Sequence, residues 1–193
     1  MVDTWMIDVP GERVLVRELG PADEAPLLRL FEECEDWFTA ATGLPSAPGD
    51  VQSLFYALPE GAHPDDKVLL VLERDGVVAG VVDAVRDHPR PGAVAVGLFL
   101  LAPWARGRGL GRALAEALLS RAGDAAEVTA TVPPGWRPGE RFLERLGFAL
   151  DPEPRPTGAN RRTGPREGSV RRAVLRRDAA TRRSPSRGPR PTG

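Results

Sequence analysis

Residues 93–132 switch from one hydrophobic pattern to another, and this switch limits the folds open to the chain. The apolar run Ala93–Leu101 predicts a buried strand that Pro103 ends. Apolar residues at helical spacing follow over Leu110–Arg121, and Glu127–Val132 predicts another strand. Consecutive strands joined through a helix run parallel, so this segment predicts a βαβ crossover.

An antiparallel meander precedes the crossover. Residues 67–74 and 77–85 predict two strands, and Asp75-Gly76 between them is a strong signal for a two-residue hairpin. Residues 87–92 contain two prolines and a glycine and predict a turn into the next strand. The middle of the chain is therefore predicted to be sheet that becomes parallel only at the crossover.

The two ends of the chain carry weaker signals. Residues 1–12 predict a loose leader, and residues 13–18 alternate like a strand. Proline and acidic residues predict that helices open near Pro21 and Asp50, the first running to about residue 36 or 38. Downstream, we predict a helix over residues 140–146 and a last strand over residues 169–176. One domain over residues 13–177 accounts for these elements, and the Arg/Pro-rich residues 178–193 predict a disordered tail.

The formal net charge of −1 conceals an asymmetry. Residues 1–150 carry 14 basic and 23 acidic groups, a net charge of −9, whereas residues 151–193 carry 12 basic and 4 acidic groups, a net charge of +8. An acidic body favours cationic partners such as amines. No aromatic residue is interleaved with arginine from Gly158 onward, so nucleic acid is not a predicted partner of the basic end.

Other features bound the cellular context. No apolar run is long enough for a membrane span, and the first residues lack the apolar stretch of a signal peptide. The single cysteine, Cys34, excludes an internal disulfide and offers no metal-ligand cluster, so no metal is predicted. We expect a cytoplasmic protein, with Cys34 as a small buried hydrophobic residue.

The turn between the crossover strand and its helix reads RGRGLGR over residues 106–112. Glycines let the backbone approach a ligand closely, and the free N–H groups at a helix start attract anions. Arg106, Arg108 and Arg112 add positive charge. The pattern predicts a phosphate or pyrophosphate site.

Two common phosphate-binding motifs do not fit this turn. A P-loop needs Gly-Lys-Ser/Thr at its end, and a dinucleotide fingerprint needs a different glycine spacing from that of Gly107, Gly109 and Gly111. The preceding strand also follows a meander rather than opening a βαβ series. A glycine-rich turn without a ligand is the remaining structural alternative.

Residues 106–111 resemble the R/Q-x-x-G-x-G/A signature of the GNAT superfamily of N-acetyltransferases. Residues 142–148 (FLERLGF) are similar to the later helix of the family and its Gly-Phe ending. The stretch from Asp66 to Leu98 resembles a small bacterial subgroup. The resemblance covers about residues 13–150, and it implies an α/β (α+β) fold. In that fold, a mixed, mostly antiparallel sheet of six to seven strands is flanked by about four helices, and one parallel strand pair is splayed.

The resemblance also implies a ligand and a reaction. Acetyl-CoA would donate an acetyl group directly to an amine of a small molecule or peptide, with CoA as product. The backbone N–H of Leu101 would polarise the thioester carbonyl. The expected cofactor-binding residues are Phe99, Leu100, Leu101, Arg106, Gly107, Arg108, Gly109, Leu110, Gly111 and Arg112.

A general base would help an ammonium lose its proton. Asp83 is the leading candidate because it interrupts the apolar run of residues 81–85. Asp87, His88 and Glu127 are weaker candidates. The alternative for Asp83 is an outward-facing position on an alternating strand. On the acceptor side, Trp37 and Phe38 are expected to line the amine pocket beside Asp83, with most nearby acids on a solvated helix face.

The sequence departs from the family at two positions. Leu143 stands where many members carry a tyrosine that protonates the leaving thiolate, and Trp136 stands where many carry a cofactor-binding asparagine. Tyr56, the only tyrosine, or water is left for the acid role. These departures keep an alternative open: a catalytically degenerate acyl-CoA sensor or regulatory module. A homodimer is left open as the assembly state.

Overall fold

Nine strands and five α-helices make up the part of the chain that the computed structural model describes, residues 4–156 and 169–177. The strands are β1 Trp5–Val9, β2 Glu12–Glu18, β3 Lys67–Arg74, β4 Val77–Arg86, β5 Ala93–Leu101, β6 Glu127–Val132, β7 Ala149–Leu150, β8 Arg155–Pro156 and β9 Ser169–Arg176. The helices are α1 Glu24–Glu33, α2 Glu35–Thr42, α3 Pro48–Tyr56, α4 Leu110–Arg121 and α5 Arg137–Arg145. The predicted tail over residues 178–193 lies outside the described residues.

The strands form a mixed sheet in the order β1-β2-β3-β4-β5-β6-β9-β7, and β8 also pairs with β9. Only the β5–β6 pair is parallel among the described strands, and every other neighbouring pair is antiparallel. The predicted fold class is therefore confirmed. The described part has more strands than the six to seven expected, because β7 and β8 are two-residue strands and the amino-terminal segment adds β1.

The amino-terminal segment contains a hairpin where a loose leader was predicted. Strand β1 pairs with β2 from Trp5 opposite Val16 to Val9 opposite Glu12, and Gly11 turns the chain with φ 79°. Ile7 is buried in this hairpin, which ties the segment to the core. The prediction was wrong for residues 5–12 because Asp8 makes the segment polar, whereas Ile7 alternates with it onto the opposite face.

The hairpin between β3 and β4 turns at Asp75 and Gly76, as predicted. Both residues have positive φ, 51° and 77°, which suits the twist of a tight two-residue hairpin. A β-bulge between Leu72 and Glu73 then shifts the β3–β4 register by one residue, so that Leu69 lies opposite Asp83 and Lys67 opposite Val85. Lys67 and Asp83 thereby become diagonal neighbours on one face of the sheet.

The first predicted helix is divided into two. Cys34, with φ −98° and ψ 29°, leaves the helical region between α1 and α2, and its side chain is fully buried. Helix α3 begins at Pro48, and the Asp50 carboxylate accepts a hydrogen bond from the Ala47 N–H at 2.7 Å. The break at Cys34 turns α2 toward the end of the β5–β6 pair, where Asp36 meets Arg106.

The apolar interior consists of two clusters. The larger joins β1–β5 with α1–α4, and its fully buried members include Phe31, Leu70 and Leu114. The smaller joins β6, β9 and α5 around Val128 and Leu143. No helix in the described ranges is long and apolar enough to cross a membrane. The cleft described next lies between the two clusters.

Candidate active site

Strands β5 and β6 diverge after four paired residues. Their parallel pairing runs from Ala93 opposite Glu127 to Val96 opposite Ala130. At the next position, the Thr131 hydroxyl donates to the Gly97 carbonyl at 3.3 Å, while β5 continues to Leu101. The opened strands border a cleft of about 910 Å³ that also contains residues of α4 and α5. The splayed parallel pair is therefore present.

A β-bulge lies where the strands begin to diverge. In the β4–β5 register, Leu98 lies opposite Asp83 and Val96 lies opposite Ala84, so Gly97 is the extra residue. A Cβ on Gly97 would lie 3.8 Å from the Asp83 carboxylate. The bulge thus brings the backbone of the splay close to an acidic side chain.

The backbone groups of Phe99 and Leu101 point into the splay. Ala102 N–H donates to the Ala79 carbonyl, so Gly80 and Leu101 form a pair whose N–H and C=O groups point away from each other. Phe99, two residues earlier, has the same orientation. Leu100 lies between them, so its backbone faces β4. The predicted backbone contacts to a ligand therefore fit Phe99 and Leu101 but not Leu100.

The glycine loop opens α4 without a side-chain cap. Gly107 and Gly109 have φ of 80° and 87°, and Gly109 occupies the N-cap position with no capping hydrogen bond. The N–H groups of Leu110, Gly111 and Arg112 precede the first intrahelical bond, which Ala113 donates to the Gly109 carbonyl. Free N–H groups and the positive end of the helix dipole together create an anion site at the edge of the cleft.

Gly111 holds this helix start against the splay. A Cβ at Gly111 would lie 3.2 Å from Leu101 Cδ1 and 3.5 Å from the Phe142 ring. Phe142 in turn packs on Phe99, with ring centroids 5.4 Å apart. A side chain at this position would push α4 away from both β5 and α5.

The three loop arginines have different roles. Arg112 is exposed, borders the cleft and pairs with Glu116 at 2.7 Å. Arg108 pairs with Glu12 at 2.8 Å, so its side chain is directed to the β1–β2 hairpin. Of these two, only Arg112 can add side-chain charge at the anion site. The sequence had predicted that Arg108 would add charge there as well.

Arg106 connects the loop to α2. Its guanidinium donates to the Asp36 carboxylate at 2.6 and 3.2 Å, to the Leu101 carbonyl at 2.8 Å and to Cys34 Sγ at 3.4 Å. These bonds hold the pKa of Asp36 below its ordinary value. Burial raises the pKa of Cys34 to about 11, so the thiol remains protonated, as expected of a small buried residue. Arg106 therefore positions α2 beside the splay.

Asp83 lies beside the bulge in a partly buried ion pair. Lys67 Nζ is 3.0 Å from Asp83 Oδ1 and 3.1 Å from Oδ2, and it also donates to the Ala57 carbonyl at 2.8 Å. Burial raises the pKa of Asp83, and the charge and hydrogen bonds of Lys67 oppose the rise. Asp83 faces the side of the sheet opposite to Val82 and Ala84, which border the cleft.

The other base candidates lie at the far end of the sheet. Asp87 accepts a hydrogen bond from Gly92 N–H at 2.7 Å in the β4–β5 turn, and His88 occupies the same turn. Glu127, only 4% exposed, pairs with three arginines. Its partners are Arg90, Arg172 and Arg176. These side chains stabilise the end where β5 and β6 begin, so their candidacy as bases is not supported.

On the acceptor side, Trp37 borders the cleft and Phe38 does not. Phe38 is 4% exposed and packs on Phe31 and Trp37, with centroid distances of 4.8 and 5.0 Å. It therefore belongs to the core. Tyr56 is 80% exposed at the end of α3, outside the cleft lining, which removes it as an acid. Leu143 and Trp136 both border the cleft. Apolar side chains therefore occupy the two positions where many family members carry a tyrosine and an asparagine.

Sequence reasoning missed two groups of residues. Lys67, the only lysine, shares a face with Asp83 because a β-bulge at Leu72/Glu73 shifts the register, whereas the unshifted hairpin register would have placed the two on opposite faces. Three arginines of α5 also line the cleft, and helical spacing would have placed them on one face. They are Arg137, Arg141 and Arg145.

A family model described as "Acetyltransferase (GNAT) family" matches residues 29–148. No curated protein matches the sequence. Among solved structures, the chain is similar to an acetyltransferase from Thermus thermophilus, with 18% identity, 89% of this chain and 99% of that chain covered, and a TM-score of 0.63.

Two further structures show the same likeness. The ribosomal-protein-S18-alanine N-acetyltransferase from Escherichia coli has 17% identity, coverage of 89% of this chain and 98% of its own, and a TM-score of 0.59. A ribosomal L7/L12 alpha-N-protein acetyltransferase in complex with coenzyme A has 14% identity, the same coverages and a TM-score of 0.62. At such identities the likeness concerns the fold. Because the family model spans more than half of the sequence, including β5 and the glycine loop, this chain belongs to the acetyltransferase (GNAT) family.

Proposed function

We propose that the protein is an N-acetyltransferase that transfers the acetyl group of acetyl-CoA to a primary amine of a small molecule or peptide. The observation that carries the proposal is one continuous cleft. It joins the uncapped N-terminus of α4 to the backbone groups exposed between β5 and β6. An anion site and an open strand edge in one cleft suit a ligand with a pyrophosphate and an amide-containing arm.

Different residues of the cleft would bind different parts of acetyl-CoA. The amides over residues 107–112 would hold the pyrophosphate, and Arg112 would add charge. The outward N–H and C=O groups of Phe99 and the outward N–H of Leu101 would pair with the amides of the pantetheine arm, since the Leu101 carbonyl already accepts from Arg106. This arrangement would place the thioester near Gly97, where the strands begin to diverge.

Acetyl-CoA supplies an acyl group already activated as a thioester. The amine nitrogen attacks the carbonyl carbon, the new C–N bond forms, and the C–S bond breaks with its electron pair leaving on sulfur. One proton leaves the amine for Asp83, directly or through water, and the thiolate takes a proton from water. The Leu101 N–H, which the family resemblance suggests as the donor to the carbonyl oxygen, lies four residues along β5 from Gly97, about 13 Å at about 3.3 Å per residue, so we assign it to the pantetheine arm instead.

Asp83 suits the role of base by position and ionisation. It lies beside the bulge, and Lys67 favours its ionised form against the effect of burial. Since it faces away from Val82 and Ala84, the amine would approach from the side of the sheet opposite to the α4–α5 cleft. Trp37 and the ionised Asp36 lie at the open end of the splay and would attract a cationic amine.

The test is turnover of acetyl-CoA with a panel of amines, including amino-terminal peptides and polyamines, followed by release of free thiol. We expect thiol release that depends on both the amine and the protein. Saturable acetyl-CoA binding without release on any amine would instead favour the second candidate function, an acyl-CoA sensor. The apolar Leu143 at the position of the expected acid is the observation that favours this second candidate.

A further inference from the structure

The cleft extends beyond the point where a CoA thioester would lie. From Gly97 it continues along one face of the sheet beneath the paired halves of β4 and β5. In the register, Val96 lies opposite Ala84, and Ala84 lies opposite Val68. Val82 and Val94 occupy neighbouring positions on that face, and Leu118 of α4 forms the other wall. We name these six residues the apolar groove.

The apolar groove is incompletely covered by the protein itself. Val68, Val94, Val96 and Leu118 remain partly exposed, although they lie centrally in the sheet or on the inner side of α4. Val96 packs against both core clusters, so the groove runs along the boundary between them. Contiguous apolar surface left open inside a concave site is a feature of ligand-binding grooves.

The groove is continuous with the proposed donor site. Phe99 lies opposite Val82, so the strand that would bind the pantetheine arm presents the same face to the groove. From Gly97 back to Val94, the strand spans about 10 Å at about 3.3 Å per residue. That distance is close to the length of an extended octanoyl chain. A chain attached at the sulfur could enter the groove without leaving the cleft.

We infer that the apolar groove holds the acyl chain of the donor, and that the enzyme prefers medium-chain acyl-CoA to acetyl-CoA. The inference rests on the proposed function, because it uses the same cleft and the same attack of an amine on a thioester. The groove extends the site on the donor side, and the acceptor side at Asp83 and Trp37 is unchanged.

The charges around the groove favour a plain hydrocarbon chain. Among the described lining residues of the cleft there is no acid, and the basic ones belong to β4, the glycine loop, α4 and α5: Arg86, Arg106, Arg112, Arg121, Arg137, Arg141 and Arg145. At the end away from the loop, Arg86 donates to the Asp65 carbonyl at 2.9 Å, and Arg121 stacks on Trp5 with its Cζ 4.0 Å from the ring centroid. Both cations are already engaged by the protein, so a terminal carboxylate on the chain is not required to balance them.

The first test is calorimetric titration of the full-length protein with CoA and with acetyl-, butyryl-, hexanoyl-, octanoyl- and succinyl-CoA. Each buried methylene should tighten binding about three- to fourfold up to octanoyl-CoA. Equal affinities for acetyl- and octanoyl-CoA would overturn the groove and leave the proposed function intact. If neither CoA nor any of the esters bound, both the groove assignment and the proposed function would be contradicted. Succinyl-CoA binding more tightly than butyryl-CoA would contradict the hydrocarbon assignment.

The second test fills the groove from its two central strands. Val94→Trp and Ala84→Phe should each remove the gain from chain length, bringing octanoyl-CoA to the affinity of acetyl-CoA. Acetyl-CoA itself should change by less than about twofold, because the loop and the splay are untouched. Val77→Trp is the matched control, since Val77 is exposed on β4 outside this cleft.

Equal weakening of acetyl- and octanoyl-CoA in a folded groove variant would contradict the assignment. Circular dichroism and thermal unfolding identify folded variants. If neither bulky variant folds, the smaller change Ala84→Leu replaces them, and the wild-type series still decides the inference by itself.

Discussion

Lys67 Nζ lies within 3.1 Å of both carboxylate oxygens of Asp83, beside the strand position where the Gly97 bulge opens the sheet. The pair joins the only lysine of the chain to the one acid candidate that lies at the splay. Their side chains are 9% and 18% exposed, so water screens the pair weakly. The ionisation of Asp83 therefore depends on Lys67.

Asp83→Asn should lower kcat/KM with the best amine at least about a hundredfold, since a positioned base contributes that much or more. Because burial raises the pKa of Asp83, the acid limb of the wild-type profile should lie at higher pH than for an ordinary carboxyl group. The substitution should abolish that limb. Asp87→Asn, in the turn at the far end of the same strand, is the matched control and should keep wild-type activity. An unchanged profile in the Asp83 variant would remove it from the mechanism.

Lys67→Met should move the acid limb further up, because the remaining carboxyl loses the charge that opposes burial. The direction in which stability changes with pH follows from the difference in proton binding between the folded and unfolded states. A carboxyl whose pKa is raised by folding binds its proton more tightly in the folded state, so its contribution to stability falls as pH rises through the folded pKa. The Lys67 variant should therefore lose more stability between acidic and neutral pH than the wild type. Parallel denaturant titrations at several pH values measure this difference.

Arg112→Gln should weaken acetyl-CoA binding about three- to tenfold and reduce its salt dependence, because an exposed cation near the pyrophosphate acts through screened attraction. Arg108→Gln should change affinity by less than about twofold, since its side chain pairs with Glu12 while its backbone N–H is retained. Titration calorimetry at two salt concentrations compares the variants. Equal losses for both would show that the loop binds CoA with different side chains from those proposed.

Gly111→Val should destabilise the fold by about 1–3 kcal/mol and weaken acetyl-CoA binding, because its new atoms would contact Leu101 and Phe142. Gly49 occupies the same second position in α3, and a Cβ added there would meet no other atom within 4 Å. Gly49→Val therefore controls for helix propensity at this position. Thermal unfolding and calorimetry give the two readouts. Identical effects at both glycines would argue against the close packing at the splay.

Glu127→Gln should cost about 1–3 kcal/mol of stability, since a buried carboxylate that serves three arginines loses its charge. The kcat/KM of the folded variant should stay at the wild-type value, because this end of the sheet is remote from the splay. Glu144→Gln, at an exposed position of α5, is the control for charge alone. Loss of turnover without loss of stability would make Glu127 a candidate base again.

The order of elements could be predicted from the sequence because each signal was local. Asp75-Gly76 forms the expected hairpin, and the crossover from β5 to β6 is parallel as expected. The Gly97 bulge could not be predicted, because one added residue in an apolar strand leaves its composition unchanged. Strand β1 was missed because its stability depends on pairing with β2 and on the burial of Ile7.

The candidate site was predicted at the level of backbone and less well at the level of side chains. Glycine spacing located the helix start correctly, since it depends on neighbouring residues alone. The partners of the loop arginines lie far along the chain, Asp36 for Arg106 and Glu12 for Arg108. The spatial proximity of such partners depends on the whole fold. Dependence on the whole fold also explains why the sequence could not tell Trp37, which borders the cleft, from Phe38, which is buried.

The separation of the interior into two clusters also affects how the protein opens. The part built from β6, β9 and α5 is joined to β5 through four parallel residue pairs, next to the cleft. A donor lying between the two parts would replace missing interior packing and stabilise their contact by mass action. Amide hydrogen exchange in this part should therefore slow as donor concentration rises, by local closure of one cooperative unit. In this protein, a bound donor would complete the packing of the hydrophobic core, and its dissociation would leave that packing incomplete.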